Sequence, residues 1–514
     1  MGTNRKDEKQ EQFLRILAFL LWLLCVLFLN ARHENWLDEA QAWRLARDLS
    51  IPALIQQMAY EGHPCLWHLL LMPFAKLGFP YKTMNGISIA LVAAAAALML
   101  WKSSIPLLLQ AASLFGCAFL YQMPVISRSY ALIPLFLFLN AASYDKRHEM
   151  PCKYGLTLAL LVQTHLYMVP MAGALSLLWL AEALSRYWKQ DNRMLLRQAL
   201  GLSLPLISFL LFLAQIKGSS KSSAFYFNFS LFRPSVLLND VNIKLFLNYV
   251  GAPNTVNYYP QWLVGHPRLV FLTVLFALYV PTTGILIYAL YQKKIEMAKP
   301  VGVFLFAVTT QFVLSLLFVR TMLQKTAIFS FLSIWLLWIC WPRLKAVIEK
   351  RLLVSSYLLL ALFFIGVNNT AFFDINHDYS DSYACAKYIE ENLPEDALLF
   401  SFSEDAGTPV IAYLERDYFY DMETRRPASF VTWEDRESVI RDYASLCDWI
   451  REIDPEAKEV YLLLWPVDDT KYDNLLSHCD EEDLLYSGFE KDPQSIFDTS
   501  YLFRLRLSPA AVDR

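Results

Sequence analysis

The chain has 514 residues, of which 56% are hydrophobic and 15% aromatic, and its formal net charge is −3. This near-neutral total is the sum of two parts with opposite net charge. Residues 1–373 are basic, with 15 acidic and 32 basic residues, and residues 374–514 are acidic, with 33 acidic and 13 basic ones. Several apolar runs are long enough to cross a hydrocarbon layer of about 30 Å as helices. The composition therefore excludes an ordinary soluble protein and predicts a multi-pass membrane protein.

The first apolar run, residues 13–30, follows a short charged start, and no small-residue cleavage site comes after it. It is therefore interpreted as a membrane anchor and not as a secretory signal. The Lys and Arg residues of the N-terminus and of five loops fall on one side, which assigns that side to the cytoplasm. Eleven crossings are predicted at about 13–30, 83–101, 104–121, 129–144, 154–168, 169–185, 198–216, 268–291, 300–318, 326–342 and 352–371.

The outer loop at residues 31–82 concentrates the acid and base groups. It carries five of the six acidic residues that this topology places outside within residues 1–373, together with three histidines, among them His63. Its adjacent pair Asp38 and Glu39 offers a carboxylate for general base catalysis. The pair also suits the N-cap and first turn of a helix over residues 39–48, and the local sequence favours neither interpretation.

A second cluster, Tyr60-Glu61-Gly62-His63-Pro64, opens a short apolar segment at residues 66–79. His63 could bond a substrate here, and the alternative is an ordinary turn fixed by the glycine and the proline. The segment is interrupted by His68, Pro73 and Lys76. Because it is also short for a span, it is predicted to lie at the membrane interface.

Basic residues on the outer side lie near the level of lipid headgroups. Arg128 precedes one predicted span, and Arg320 and Lys325 flank the turn between two later ones. A guanidinium matches phosphate oxygens, and a charge at this depth is costly without a partner. Snorkelling at a helix end explains each position equally well. His165, at the outer end of the fifth predicted span, is a further candidate for this site.

The remaining outer parts are the loop at residues 217–267 and the segment 374–514. The loop is rich in Ser, Asn, Tyr and Phe, a composition that suits sugar rings and equally an interfacial aromatic belt. Residues 374–514 have no apolar run of spanning length and alternate short apolar strands at 397–402, 460–465 and 501–507 with helix-like stretches. This pattern predicts a soluble α/β domain outside the membrane.

Several classes of function find no support in the sequence. No P-loop, dinucleotide-binding, zinc-protease or serine-hydrolase motif is present. The eight cysteines show no metal-binding or disulfide spacing. The basic patches are short loops that set the topology, so no nucleic-acid binding is predicted.

Three motifs in chain order carry a family resemblance: Trp36-Leu37-Asp38-Glu39-Ala40, then Glu61-Gly62-His63-Pro64 leading into Leu66-Trp67-His68-Leu69-Leu70, and Ser127-Arg128-Ser129-Tyr130. They resemble the acidic pair, the Gly-His-Pro-Pro-Leu segment and the Arg-x-Tyr of GT-C-type membrane glycosyltransferases. The particular likeness is to bacterial relatives of the protein O-mannosyltransferase and aminoarabinose transferase families. Cys65 replaces the second proline, and the family's second acidic motif is absent near Arg128. The resemblance therefore assigns no definite cofactor, and a divalent metal stays open as an alternative that the missing motif disfavours.

The resemblance implies a mostly α-helical polytopic fold, with a GT-C-like catalytic module at residues 1–373 and an outer α/β domain at 374–514. It implies transfer of a hexosyl or pentosyl group from a polyprenyl-phosphate donor, held at the membrane lipid, to a protein, lipid or glycan acceptor on the outer face. Asp38 would be the general base of a direct, inverting attack, and Glu39 would orient the loop or the acceptor. The substrate-binding residues would be Glu61, His63, Arg128, Tyr130, His165, Arg320 and Lys325, of which Arg128, Arg320 and Lys325 would stabilise the lipid phosphate.

Three other classes stay open. A lipid-linked glycan polymerase or ligase would share this topology and differ in its acceptor. A transporter would be expected to show inverted repeats and polar residues at mid-membrane, whereas the acidic residues here lie mostly in loops. An inactive scaffold would place the function in residues 374–514.

Overall fold

The computed structural model describes residues 5–216, 282–317, 323–344 and 369–434, together with 439–440, 442–465, 475, 477–478, 483–488 and 499–507. Within this part of the chain, four helices are long and apolar enough to cross a membrane: Asp7–Arg32, Thr83–Lys102, Leu166–Tyr187 and Asn192–Gln215. The protein is therefore a multi-pass membrane protein.

Five helices form the N-terminal part: α1 Arg5–Arg32, α2 Leu37–Asp48, α3 Ile51–Glu61, α4 Leu66–Lys76 and α5 Thr83–Lys102. The membrane part continues with helices Leu107–Leu114, Leu132–Ser143, Pro151–Val162, Val169–Tyr187, Asn192–Gln215, Thr282–Tyr291, Ile295–Leu317 and Leu323–Leu344. A π-helical turn at Ala118–Gln122 and short 3-10 turns at Ser129–Ala131, Tyr144–Lys146 and Leu166–Met168 lie between them.

Three predicted spans are shorter in the structure than expected. The run at 154–168 is a helix only over Pro151–Val162 and then passes into a 3-10 turn. The run at 104–121 is a helix only over Leu107–Leu114, after Pro106, and continues as the π-helical turn. The run at 129–144 is a helix of 12 residues that begins at Leu132. The predicted span at 352–371 and most of 268–291 lie outside the described residues, as does the loop 217–267, so the count of eleven crossings stays a prediction.

The first helix shows how the chain meets the lipid. Most apolar side chains of α1 are exposed, such as Phe13 and Leu24, as expected for a lipid-facing surface. Trp22 is buried on the opposite face and donates its indole N–H to the carbonyl oxygen of Phe119 at 3.1 Å. Polar pairing inside and apolar exposure outside are what a bilayer requires.

The segment predicted to lie at the interface forms α4, a helix of 11 residues. At about 1.5 Å per residue it covers roughly half of the hydrocarbon thickness. Gly62, with φ of +72°, ends α3 in a left-handed conformation and turns the chain toward α4. A side chain at this position would be strained, since only glycine adopts this conformation freely.

A close crossing joins the helices Pro151–Val162 and Asn192–Gln215. A Cβ atom added at Gly155 would lie 2.1 Å from the carbonyl oxygen of Gly201. Small residues at such a crossing allow two backbones in a membrane to approach each other.

The C-terminal part contains a six-stranded sheet with the order β3-β2-β1-β4-β6-β5. The strands are β1 Leu399–Ser401, β2 Phe419–Asp421, β3 Arg426–Ala428, β4 Glu459–Leu464, β5 Leu484–Ser487 and β6 Tyr501–Arg506. Strand β1 pairs parallel with β2 and β4, and the other pairs are antiparallel. The three strands predicted from sequence coincide with β1, β4 and β6. The accompanying helices are Asn369–Asn376, Ser382–Asn392, Glu404–Leu414 and Tyr443–Ile453.

The segment at residues 31–82, which the sequence predicts to be an outer loop, packs against this C-terminal part through α2. The buried guanidinium of Arg44 donates to the backbone carbonyls of Arg416, Asp417 and Ser429. The side-chain amide of Gln41 donates to the carbonyl of Val431 at 2.7 Å and accepts from its N–H at 2.8 Å. Two polar side chains of the helix that carries the acid pair are therefore fixed by the C-terminal part.

Candidate active site

The two members of the acid pair point in different directions. Asp38 accepts a hydrogen bond from Nη1 of Arg128, which belongs to the loop before the helix Leu132–Ser143. Both side chains keep a small exposed fraction, 15% for Asp38 and 14% for Arg128. The guanidinium lies over the rings of Trp36 and Tyr130, 5.9 Å and 5.6 Å from the ring centres. The ion pair is thus shielded by aromatic rings and still accessible.

Asp38 and Arg128 line a small polar recess. Helices α2, α3 and α4 and the loop at Arg128 form its walls. We call it the Asp38 recess, and its lining residues are Asp38, Gln41, Ala42, Glu61, His63, Trp67, His68, Arg128 and Ser129. It brings together four of the residues predicted to form the site.

Glu39 is fully buried and is not among the residues that line the recess. Its Oε1 accepts from the backbone N–H of Ser127 at 2.7 Å, and its Oε2 accepts from that of Trp36 at 3.2 Å. The bond to Trp36 caps helix α2. Glu39 therefore caps the helix and holds the Arg128 loop, while Asp38 faces the recess.

Behind Glu39 lies a buried charge network. Nε2 of His33 lies 3.0 Å from Oε2 of Glu39, and its Nδ1 lies 2.9 Å from Oδ2 of Asp374. The same Asp374 oxygen accepts from the hydroxyl of Tyr121 at 2.7 Å. Burial acts to lower the pKa of His33, but the negative charges of Asp374 and Glu39 outweigh it and raise the pKa to about 9.

Glu61 enters the recess from the end of α3. Its Oε1 accepts from the amides of Gln41 at 2.7 Å and Gln57 at 3.4 Å. Burial raises the pKa of Glu61 to about 7, with a smaller contribution from the charge of Asp38 and against the effect of the two amides. A carboxyl group with this pKa can exchange protons near neutral pH.

The two histidines of the recess stack on each other, with ring centres 5.4 Å apart and an angle of 9° between the planes of His63 and His68. Nε2 of His63 lies 4.0 Å from Oε2 of Glu61. Burial, assisted by the charges of His63 and Arg128, lowers the pKa of His68 well below its ordinary value. His68 is therefore neutral at physiological pH, and its Nδ1 has no hydrogen-bond partner among the described residues.

The other predicted site residues lie apart from the recess lining. Tyr130 is buried beneath Arg128, and His165 contacts it with ring centres 4.8 Å apart. His165 therefore supports the wall and is not part of the lining. Arg320 lies outside the described residues, and Lys325 lies in the helix Leu323–Leu344 at a position where only the backbone is described.

No group of three or more His, Cys, Asp or Glu side chains in the described ranges is arranged to hold a metal ion. The polar groups of the recess are a guanidinium, two imidazoles, an amide, a serine hydroxyl and two carboxyl groups. Such a set suits an anionic or hydroxyl-bearing ligand.

Sequence reasoning missed some residues that shape this site. Gln41 stands three residues after Asp38, a spacing that places both on one helix face and could have pointed to it. Asp374 carries no such signal, since 341 positions separate it from His33 in the sequence. Lys82 donates to the carbonyl of His33 at 2.7 Å. Its local sequence indicates only a basic residue before a span.

Two crystal structures of ArnT from Cupriavidus metallidurans are similar to this chain. The structure in the apo state is 12% identical, with a TM-score of 0.51 over 97% of this chain and 98% of that chain. The chain has the ArnT fold. The structure bound to undecaprenyl phosphate is 9% identical, with a TM-score of 0.48 over 98% of this chain and 99% of that chain. No family model and no curated protein matches the sequence.

The similarity to apo ArnT confirms the predicted aminoarabinose-transferase-like, GT-C-type architecture at the level of the fold. It extends over nearly the whole chain, including both the helical part and the C-terminal part. The roles of Asp38 and the residues around it are a separate question, and they depend on the geometry of the recess.

Proposed function

We propose that this protein is a membrane glycosyltransferase that moves a sugar from a polyprenyl-phosphate donor to an acceptor hydroxyl on the outer face of the membrane. One observation carries the proposal: within an ArnT fold, the Asp38 carboxylate lies in a polar recess directly against the guanidinium of Arg128. A base for the attacking hydroxyl and a cation for the leaving phosphate are the two charges that this reaction requires.

In the proposed reaction, Asp38 is the general base. The acceptor oxygen attacks the anomeric carbon while its proton passes to a carboxylate oxygen of Asp38. The bond between the anomeric carbon and the phosphate oxygen breaks, and its electron pair leaves with the lipid phosphate. One direct displacement inverts the anomeric configuration and requires no nucleophile from the protein.

Arg128 stabilises the departing phosphate. A guanidinium has five N–H donors, and in the described part of the chain the Arg128 guanidinium makes one hydrogen bond, through Nη1 to Asp38. The remaining donors can engage phosphate oxygens while the charge pair with Asp38 is kept or exchanged. His63 and the neutral His68 add hydrogen-bonding groups on the opposite wall.

Glu61 and Gln41 bind the sugar or the acceptor in this proposal. Glu61 is anchored by two amides, and its second oxygen faces His63. Carboxyl and amide groups fixed in this way recognise hydroxyl groups by hydrogen bonding. Arg320 and Lys325 remain proposed phosphate ligands on the basis of the sequence resemblance alone.

The test compares purified wild type with Asp38→Asn in transfer assays with a panel of polyprenyl-phosphate sugars. We expect turnover to fall by about 10²–10⁴-fold, the usual contribution of a general base. Asp417→Asn is the matched control, because the Asp417 side chain is 89% exposed. Equal turnover of wild type and Asp38→Asn would remove Asp38 from the mechanism.

Mass spectrometry of the lipid-linked sugar that copurifies with the protein identifies the donor. The length of the product then separates two activities, since a single-sugar transferase adds one residue and a lipid-linked glycan polymerase or ligase transfers a longer chain. A transporter or an inactive scaffold would yield no product in the panel.

The proposed orientation places the N-terminus in the cytoplasm and the C-terminal α/β domain outside. Single cysteines introduced at exposed positions of residues 374–514 should react with an impermeant reagent added from outside intact cells. Reaction only after permeabilisation would place the acid pair on the wrong face for a lipid-linked donor.

A further inference from the structure

His33 lies between two carboxylates, and each of its ring nitrogens is within hydrogen-bond distance of a carboxylate oxygen, Nδ1 with Asp374 and Nε2 with Glu39. The side chains of all three residues are exposed by 1% or less. An ionised carboxylate only accepts hydrogen bonds, so both ring nitrogens must carry a proton for both contacts to be bonds. The geometry therefore fits an imidazolium.

Glu39 connects His33 to the loop that carries Arg128. One of its oxygens faces His33 and accepts from Trp36, and the other accepts from the N–H of Ser127. The next residue along the loop, Arg128, bonds Asp38, which in turn precedes Glu39 in α2. Two consecutive acids thus hold two consecutive loop residues, and the orientation of Glu39 fixes the distance between Asp38 and Arg128.

Asp374 contacts His33 on the side opposite to Glu39. It lies in the helix Asn369–Asn376 at the start of the C-terminal part and accepts from the hydroxyl of Tyr121. His33 therefore connects three places in the fold: the end of α1, the helix that carries the acid pair, and the entrance to the C-terminal part.

We propose that His33 is a positively charged positioning residue, which ties Asp374 to Glu39 and thereby holds Arg128 in place against Asp38. This inference rests on the proposed function for its activity assays. It further implies that transfer is lost in alkaline solution, when the imidazolium gives up a proton and one of the two carboxylates loses its bond.

Other titratable groups face His33 and must be separated from it. They are Glu39 on α2, Lys82 before α5, Tyr121 in the π-helical turn, Asp374 and Tyr379 from the C-terminal part, and the neighbouring Glu34. Burial lowers the pKa of Lys82, so Lys82 is the group most easily confused with His33 in alkaline solution.

The experiment measures kcat and the donor KM from pH 6 to pH 10 for wild type, His33→Gln, Asp374→Asn and the control His478→Gln, which alters an exposed histidine. In wild type we expect kcat to fall through an apparent pKa near the value of about 9 given by the contacts of His33. In His33→Gln we expect kcat at pH 7 to fall by roughly 10²-fold, as for a misplaced catalytic group, and the alkaline fall to disappear.

Asp374→Asn keeps the imidazole but removes one of the two charges that stabilise its proton. We expect its alkaline fall to move to lower pH by roughly 1 unit or more, which a merely structural role would not produce. An unchanged alkaline fall in His33→Gln would assign it to Lys82 or another neighbour and overturn the proposal. Wild-type kcat in His33→Gln at pH 7 would overturn it as well.

A second measurement is independent of transfer activity. A double-mutant cycle of His33→Gln and Glu39→Gln on the thermal midpoint in detergent should be strongly non-additive at pH 7 and less so at pH 10, where the neutral imidazole of His33 can bond only one of its two carboxylates. If wild type transfers no sugar but this cycle behaves as expected, the proposed function fails while the charged bridge stands. Additive effects at both pH values would contradict the bridge itself.

Discussion

Two charge clusters lie at opposite ends of the helix Leu132–Ser143 and are built from the same residue types. They differ in how many hydrogen bonds the arginine of each cluster donates. At one end, Arg128 makes one described hydrogen bond to Asp38 and lines an open recess. At the other end, Arg147 binds both oxygens of Glu182 at 2.8 Å and 2.9 Å and the carbonyl of Tyr144 at 2.8 Å. The difference separates a guanidinium with two nitrogens that make no described hydrogen bond from one in which all three nitrogens donate.

The second cluster, which we call the Glu182 cluster, consists of Arg147, His148, Glu182, Glu296 and Lys299. Three cationic or imidazole groups converge on Glu182 and leave its carboxylate fully satisfied. A buried acid with this many partners stabilises the packing of the loops and helices that supply them. Charge composition alone therefore does not distinguish the two clusters, whereas the number of guanidinium donors already in use does.

The largest expected effects come from replacing Arg128 and Arg147 one at a time. Arg128→Ala should lower kcat/KM for the donor by about 10²-fold, equivalent to roughly 3 kcal/mol of lost phosphate stabilisation, with a small change in thermal midpoint. Arg147→Ala should do the reverse, since it leaves Glu182 with a buried charge that lacks its bidentate partner. The comparison would be contradicted if Arg147→Ala lowered kcat/KM as much as Arg128→Ala and left the thermal midpoint unchanged. It would also be contradicted if Arg128→Ala changed only the kinetics of the acceptor.

A second pair tests whether the recess depends on the C-terminal part. Arg44→Ala removes the buried guanidinium that donates to three partly buried backbone carbonyls and should cost about 1–3 kcal/mol, making residues 374–514 easier to release by limited proteolysis. Arg47→Ala removes a more exposed side chain that pairs with Asp48 and Asp417 and should change the rate of release little. Equal release rates for the two variants would show that α2 is not the docking surface.

A third pair concerns the packing beside the Glu182 cluster. Gly155→Ala places a methyl group 2.1 Å from the carbonyl oxygen of Gly201 and should lower the thermal midpoint, at a cost of about 1–3 kcal/mol. Gly173→Ala meets no atom within 4 Å and should be neutral or slightly stabilising. Differential scanning in detergent distinguishes them, and a neutral Gly155→Ala would mean that the two helices do not cross closely.

The smallest expected effect is a pH dependence at Glu61. Its pKa in the folded protein, about 7, lies above the ordinary value of 4.5, so folding favours the protonated carboxyl group. The associated stability is complete below pH 4.5 and is lost as the pH rises through 7.

Glu61→Gln is neutral at every pH and should escape that loss. Its thermal midpoint should exceed that of wild type by roughly 1–3 °C at pH 8 and differ little at pH 5. Glu395→Gln, at an exposed position, is the control. A difference that is the same at both pH values would assign the effect to something other than ionisation of Glu61.

The sequence predicted the ingredients of the recess because they stand in short local motifs. Asp38 follows the first span, Glu61 and His63 follow one helix later, and Arg128 precedes another. The likeness to apo ArnT supports the fold class for the same reason, since apolar runs and alternating strands are local patterns.

What the sequence could not predict depends on contacts between distant segments. Asp38 and Glu39 are neighbours with similar chemistry, and only the positions of Ser127, His33 and Asp374 separate their roles. Arg44 reads as a charge on a helix surface until the C-terminal part covers it. Span boundaries at 104–121 were also wrong, because Pro106 shortens the helix and a π-helical turn follows it.

The most direct test of the account measures donor affinity and the single-turnover rate of transfer in wild type and Asp38→Asn, both saturated with the polyprenyl-phosphate sugar. Because Asp38→Asn removes the carboxylate that pairs with Arg128, the account predicts donor binding that is unchanged or tighter. It also predicts a transfer rate reduced by at least about 10²-fold. A wild-type rate in Asp38→Asn, with the donor bound, would contradict it.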